Sequence, residues 1–177
     1  MTKKLRIEGK HVILSNFLEE DITDIYLNWL NDPEVVKFTA QRFIKNDYLS
    51  CKKYFDSFKG TNNLFFTIKL AKSNQMIGTM TAHFSLHGTV DVGIMIGEKS
   101  KWSHGYGKDS WNTLLLWLTD KMNIRKITAG TLAINFGMQK LCEDSGMILE
   151  AVKKDHHIVD NKTVDFFYYC KFNCEYK

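Results

Sequence analysis

The chain has 177 residues, 44% of them hydrophobic, with a single proline and a formal charge of +4 from 24 basic and 20 acidic side chains. That length supports one domain over residues 1–177 with a core that needs no staples, and the composition excludes long disordered linkers. The charge is mild and the lysines are scattered, which excludes a nucleic-acid footprint as the organising feature. No apolar run reaches bilayer length, and residues 1–14 lack the basic-then-apolar layout of a signal peptide, so a cytoplasmic protein without membrane insertion is expected. Cys51, Cys142, Cys170 and Cys174 include no C-x-x-C pair. They read as free thiols, with no metal site indicated.

In chain order, residues 5–14 predict a strand. Residues 21–30 predict a helix capped by Asp21, with Ile22, Ile25, Tyr26, Trp29 and Leu30 at helical spacing. Asn31-Asp32-Pro33 ends it. A second helix, 47–59, places Tyr48, Cys51, Phe55 and Phe58 on one side and stops at Gly60. Strands follow at 64–70, 76–86 and 89–97, the last two joined through His87-Gly88 as a hairpin. A third helix spans 105–122, its stripe formed by Trp111, Leu114, Leu115, Leu118 and Met122. Then come a strand at 126–132, a short helix at 136–145, and strands at 147–158 and 164–173 around the turn Asp160-Asn161-Lys162. This order fits an α/β (α+β) fold, a mixed sheet with helices on both faces.

The most informative stretch is Gly97-Glu98-Lys99-Ser100-Lys101-Trp102-Ser103-His104-Gly105-Tyr106-Gly107-Lys108. It joins a strand to a helix through a glycine-spaced, cationic turn. Glycine lets an anion approach closely, and the first helical N–H groups lack partners within the helix. Lys99, Lys101 and Lys108 add charge of the right sign for phosphate.

The preceding hairpin has one apolar face, comprising Met80, Ala82, Phe84, Leu86, Val92, Ile94 and Ile96. If His87-Gly88-Thr89 is the turn, Ser85 lies opposite Asp91 and His83 opposite Gly93, all four on the other face. Polar groups gather there, where Gly93 leaves room. His83 is a candidate base because an ordinary imidazole titrates near neutrality. The plain alternative is a solvent-facing side of a hairpin.

Gly93-Ile94-Met95-Ile96 running into Trp102-Ser103-His104-Gly105-Tyr106-Gly107, with Asn135 and Gly146 downstream, resembles the GNAT superfamily of acyl-CoA-dependent N-acetyltransferases over essentially the whole chain. Within it, the sequence looks most like the branch holding ribosomal-protein N-terminal acetyltransferases and amino-sugar acetyltransferases. The segment Tyr26-Leu27-Asn28-Trp29-Leu30-Asn31-Asp32-Pro33-Glu34-Val35, with Arg42 downstream, is closer to the sugar-acting members.

The resemblance implies a GNAT-like, mostly antiparallel sheet of six to seven strands. It implies acetyl-CoA as cosubstrate, no metal, and a homodimer as a permitted assembly. The pantetheine arm would pair with the strand at Ile94, Met95 and Ile96. The phosphates would sit on backbone N–H groups of about Ser103, His104, Gly105, Tyr106, Gly107 and Lys108, after Trp102, which replaces the family's glutamine or arginine. Asn135 would contact the cofactor, unless it serves only as a helix N-cap.

Asp91 takes the place of the catalytic glutamate of histone-type members, one methylene shorter, so a relayed water suits it better than direct contact. The family's acidic tyrosine is Cys142 here, its serine is Met138, and another glutamate base is Gly130. Cys142 reads as a buried structural thiol. His156 and His157, near the last hairpin turn, are further candidates for base or substrate contact, and Arg42 for an acceptor phosphate or carboxylate. The leading expectation is acetyl transfer to a nucleotide-linked amino sugar of surface-polysaccharide synthesis. The alternatives are a protein N-terminus or a polyamine as acceptor, or a noncatalytic acyl-CoA-binding module.

Overall fold

The computed structural model describes residues 5–176, so the first four residues of the N-terminal layout lie outside them. Strands β1 (Arg6–Glu8), β2 (Val12–Asn16), β3 (Leu64–Leu70), β4 (Met76–Phe84), β5 (Thr89–Ile96), β6 (Lys126–Leu132), β7 (Ile148–Val159) and β8 (Lys162–Phe172) form one sheet. Their spatial order is β1-β2-β3-β4-β5-β6-β8-β7. Every neighbouring pair is antiparallel except β5 and β6, which run parallel. The α/β expectation holds, with eight strands in place of six or seven.

The extra strand arises because the predicted strand at 5–14 is broken by a turn at 9–11. Gly9 N–H donates to the Val12 carbonyl at 2.9 Å. The Asp109 carboxylate then accepts the backbone N–H groups of Lys10, His11 and Val12 at 3.1, 2.6 and 3.1 Å. A side chain nearly a hundred residues away thus fixes the first hairpin.

Adjacent residues of a strand point to opposite faces. Phe66 enters a core with Leu14, Met80, Val92, Trp111, Leu114 and Leu118. Phe65, its neighbour, joins Phe17, Tyr26, Trp29, Leu30 and Cys51 on the other face. Helices α1 (Asp24–Asn31), α2 (Pro33–Val36) and α3 (Tyr48–Asp56) lie in the chain between β2 and β3, α4 (Tyr106–Asp120) between β5 and β6, and α5 (Phe136–Asp144) between β6 and β7. Buried residues of α1 and α3 supply the second cluster, and buried residues of α4 and α5 the first. Among the described residues no helix is long and apolar enough to cross a membrane.

Several boundaries differ from expectation for local reasons. Asp21 does not cap the first helix; its carboxylate accepts Leu18 N–H at 2.8 Å in a separate 3₁₀ turn. Thr23 caps α1, accepting Tyr26 N–H at 3.3 Å, which leaves Ile25 exposed. The third helix stops at Asp120 and Met122 is exposed, outside the stripe of Trp111, Leu114, Leu115 and Leu118. Tyr48 is likewise exposed, whereas Cys51 is buried and Phe55 and Phe58 are packed against the second core. All four cysteines are free; Cys51, Cys142 and Cys170 are buried and Cys174 exposed.

Candidate active site

The parallel pairing of β5 with β6 covers only Thr89, Val90 and Asp91 against Lys126, Ile127 and Thr128. Beyond Asp91 no pairing joins the two strands. Gly97 N–H reaches the Ile77 carbonyl of β4, and Ser85 N–H the Thr89 carbonyl. Alternation along β5 therefore turns the backbone groups of Met95, Gly93 and Asp91 toward β4, and those of Val92, Ile94 and Ile96 toward the gap. The indole N–H of Trp102 occupies the Ile96 carbonyl at 2.8 Å. Val92 and Ile94 thus remain the open edge of β5.

A cavity of about 410 Å³ fills this gap. Val92, Gly93 and Ile94 form one side, and Gly130, Thr131 and Leu132 of β6 the other. Asn135 and Met138 stand at one end; the 3₁₀ turn at Ala40–Phe43, with His157 and Phe166, closes another. A backbone notch lined by apolar side chains suits a narrow, flexible arm with amide groups.

The strand-to-helix turn lies just past Ile96. Ser103 and Gly105 adopt left-handed backbone, φ 61° and 82°. Gly105 is the N-cap of α4 and contributes no side-chain hydrogen bond. The first N–H groups of α4, from Tyr106, Gly107 and Lys108, therefore have neither an intrahelical partner nor a capping side chain, the arrangement that holds phosphate. The lysine charges are placed otherwise than expected. Lys99 is paired with Asp32 and Glu34 at 2.7 and 2.9 Å, and Lys108 with Asp144 at 3.0 Å. An anion at this turn would meet backbone dipoles more than these side chains.

The hairpin register is shifted by two residues from expectation, because the loop closes at Ser85 and Thr89 with Leu86-His87-Gly88 between them. His83 faces Asp91 directly, and Gly93 faces Thr81. A shift of two preserves the face. That face is no solvent side for its whole length: Met95 packs against the second core, and His83 meets the Phe58 ring at 5.4 Å. Asp91 accepts a hydrogen bond from the Thr128 hydroxyl at 2.8 Å. It is exposed at its surface, yet protein crowds the carboxyl enough that desolvation raises its pKa, against the lowering effects of Thr128 and of nearby His83. Asp91 and His83 lie outside the lining of the notch.

Asn135 does cap α5, its side-chain oxygen accepting Met138 N–H at 3.2 Å, and it also lines the notch. Cys142 is fully buried in the first core, and desolvation pushes its thiol up to about 12. Gly130 explains its own identity: a Cβ there would stand 2.6 Å from the Phe166 ring. Phe166 stacks on His157 at 4.7 Å and 25°. His156 is exposed and meets His157 edge-on at 5.0 Å.

Arg42 makes no salt bridge with a described residue. Its guanidinium donates to the Thr39 and Ile158 carbonyls at 2.9 and 3.2 Å and covers the Phe43 ring at 4.4 Å. Arg42 and Phe43 line both the notch and a second cavity of about 950 Å³. That larger cavity also presents Lys37, Gln41, Lys45 and Asp160. The Oε1 atom of Gln41 is buried with no hydrogen-bond partner. The structure thus gathers Ile94, Asn135, Arg42 and His157 around one space, whereas Trp102 to Lys108 lie outside its lining. Thr128, Phe166, Val92 and Gln41 carry no motif that singles them out in the sequence.

The sequence profile of the family described as "Acetyltransferase (GNAT) domain" matches residues 11–148. A search of curated protein sequences returns no match. Among similar solved structures is a GNAT-family acetyltransferase from Bacillus anthracis, 19% identical, TM-score 0.83, covering 97% of this chain and 100% of that one. Another is the spermidine N-acetyltransferase of Vibrio cholerae in complex with CoA and spermine, 15% identical, TM-score 0.82, covering 95% and 99%. A third is the ribosomal-protein-S5-alanine acetyltransferase of Vibrio fischeri, 15% identical, TM-score 0.77, covering 98% and 99%. At these identities the likeness is one of fold. With the profile covering most of its length and the split between β5 and β6 leading into a phosphate-type turn, this chain belongs to the GNAT family of N-acetyltransferases.

Proposed function

We propose that residues 1–177 act as one domain that transfers acetyl from acetyl-CoA to the primary amine of an anionic small molecule, a nucleotide-linked amino sugar, by direct transfer in a ternary complex. The observation that carries this reading is the junction of two cavities at Arg42 and Phe43. The notch fits the donor's pantetheine arm, with Val92 and Ile94 offering backbone groups and Asn135 at its end. The N–H groups from Ser103 to Lys108 fit its pyrophosphate. Acetyl-CoA, which the family uses, supplies an acetyl thioester.

The larger cavity takes the acceptor. Lys37, Arg42 and Lys45 face it against one carboxylate, Asp160, a balance that suits phosphates and opposes a polyamine. Arg42 spends two of its five N–H donors on carbonyls, so a planar fork held in place remains for an anion.

An acceptor that arrives as an ammonium must lose one proton before it attacks. Asp91 and His83, facing each other beside the point where β5 and β6 part, are assigned this step through water. Desolvation brings the Asp91 carboxyl closer to the working range than an ordinary aspartate.

Arg42→Ala tests the acceptor side. Loss of charge-assisted hydrogen bonds is expected to raise KM for a nucleotide amino sugar roughly 10- to 100-fold, with the KM for acetyl-CoA unchanged. The assay is thiol release on a panel of nucleotide amino sugars, peptides and polyamines. A polyamine as fastest acceptor, or an unchanged acceptor KM, contradicts the anionic reading. Acetyl-CoA binding without thiol release on any amine assigns a noncatalytic module instead.

A further inference from the structure

Strand β7 departs from regular pairing just before the last turn. Lys153 pairs with Phe166 and His157 with Val164, so residues 154–156 stand against Asp165 alone. Regular pairing would have put Asp155 opposite Val164. In the bulge, Asp155 takes left-handed backbone at φ 48°, and its N–H donates to the Asp165 carboxylate at 2.9 Å. The two extra residues draw His157 back by two positions, from opposite Lys162 to opposite Val164. Its ring comes to lie on Phe166, which in turn fills the space left open by Gly130. Bulges recur where a fold re-aims a side chain toward a site.

His157 reached this way lines the notch together with Gly93, Ile94 and Asn135. Its Nδ1 atom is sealed in protein without a hydrogen-bond partner. A structural histidine is normally held by a partner at a buried nitrogen. Here the ring is held by stacking, which leaves Nε2 for the cavity.

We infer that His157 takes the second proton of the amine, the one shed as nitrogen bonds to the acetyl carbon, and passes it to the departing thiolate. This rests on the acetyl-transfer reading above. The N–H bond breaks and an Nε2–H bond forms; the carbon–sulfur bond breaks and the same proton forms S–H. His157 ends neutral, and no further reactant is needed. The sealed Nδ1 suits such a brief tenure: in the imidazolium both nitrogens are donors, and the Nδ1 proton has nowhere to go. Burial lowers the His157 pKa first, followed by the charges of His156, Arg42 and Lys153. The charged groups acting on it, from β7 and from the 3₁₀ turn, are thus all basic. Its β8 neighbours Phe166 and Val164 are neutral, and Asp165 is engaged by Lys154 at 2.7 Å.

The test is His157→Gln, compared with Asp91→Asn. Expected for His157→Gln is a fall in kcat of at least about 100-fold, with acetyl-CoA binding by calorimetry and the melting temperature unchanged. The acid limb of the wild-type profile of kcat against pH should lie below the ordinary histidine value of about 6.5 and vanish in His157→Gln. Histidine-labelled NMR of the free protein should show the resonance missing from that variant titrating below the same value. A retained kcat, a retained acid limb, or a limb that vanishes in Asp91→Asn instead would overturn the assignment. Failure of acetyl-CoA to bind the wild-type chain would strike the donor reading itself and so is distinguishable.

Discussion

Gly130→Glu is expected to lower kcat at least about 100-fold, although the family resemblance places a catalytic glutamate at this position in some members. The reason is the occupancy of that space. A Cβ alone would come within 2.6 and 2.7 Å of two Phe166 ring atoms, so the ring must swing away before any carboxylate can be accommodated. Phe166 carries His157 on one face at 4.7 Å and meets Tyr168 edge-on at 5.0 Å. Displacing it moves the imidazole out of the notch and fills the notch floor with a charged side chain. Overpacking of this kind also costs about 1–3 kcal/mol of stability. Steady-state kinetics with a denaturation midpoint separates the two effects. A variant faster than wild type would show that position 130 accepts a base and that the Phe166–His157 stack is dispensable.

The second large effect is on the fold. Gly97 follows β5 directly, against Trp29, and a Cβ there would stand 2.1 to 2.4 Å from three atoms of the indole. Trp29 is buried in the second core and has no free side to retreat into. Gly97→Ala is therefore expected to destabilise by about 3 kcal/mol. For a chain of this length that lowers the melting temperature by roughly 10 °C. It also disturbs the passage from Ile96 into the phosphate-type turn, so acetyl-CoA affinity should weaken with it. Thermal denaturation decides the point; a melting temperature within a degree or two of wild type would mean that the Trp29 packing is loose.

These two glycines show what the sequence makes legible. Gly93, Gly105 and Gly107 announce a site because they sit at fixed spacing beside an alternating strand. Gly97 and Gly130 look ordinary, since their partners Trp29 and Phe166 are distant in the chain. The same limit explains the lysines of the turn. Lys99 reads as phosphate charge until the fold brings Asp32 and Glu34 against it.

Local chemistry gave the face of the β4–β5 hairpin correctly and its register two residues out, because alternation fixes parity whereas loop closure fixes pairing. The break at 9–11 depends on Asp109, and the aim of His157 on a bulge. Both are invisible to periodicity. The core stripe of α4 and the strands at 64–70 and 126–132 were legible because each carries its own pattern. The notch was not, since it consists of the place where two strands cease to pair.

The central claim is that the parted strands and the uncapped start of α4 form one seat for acetyl-CoA. Isothermal titration of acetyl-CoA into the full chain tests it most directly. Saturable binding of one ligand per chain, well below about 1 mM, is the predicted result. No heat of binding at about 1 mM ligand, where even a free energy near −4 kcal/mol would register, would contradict it.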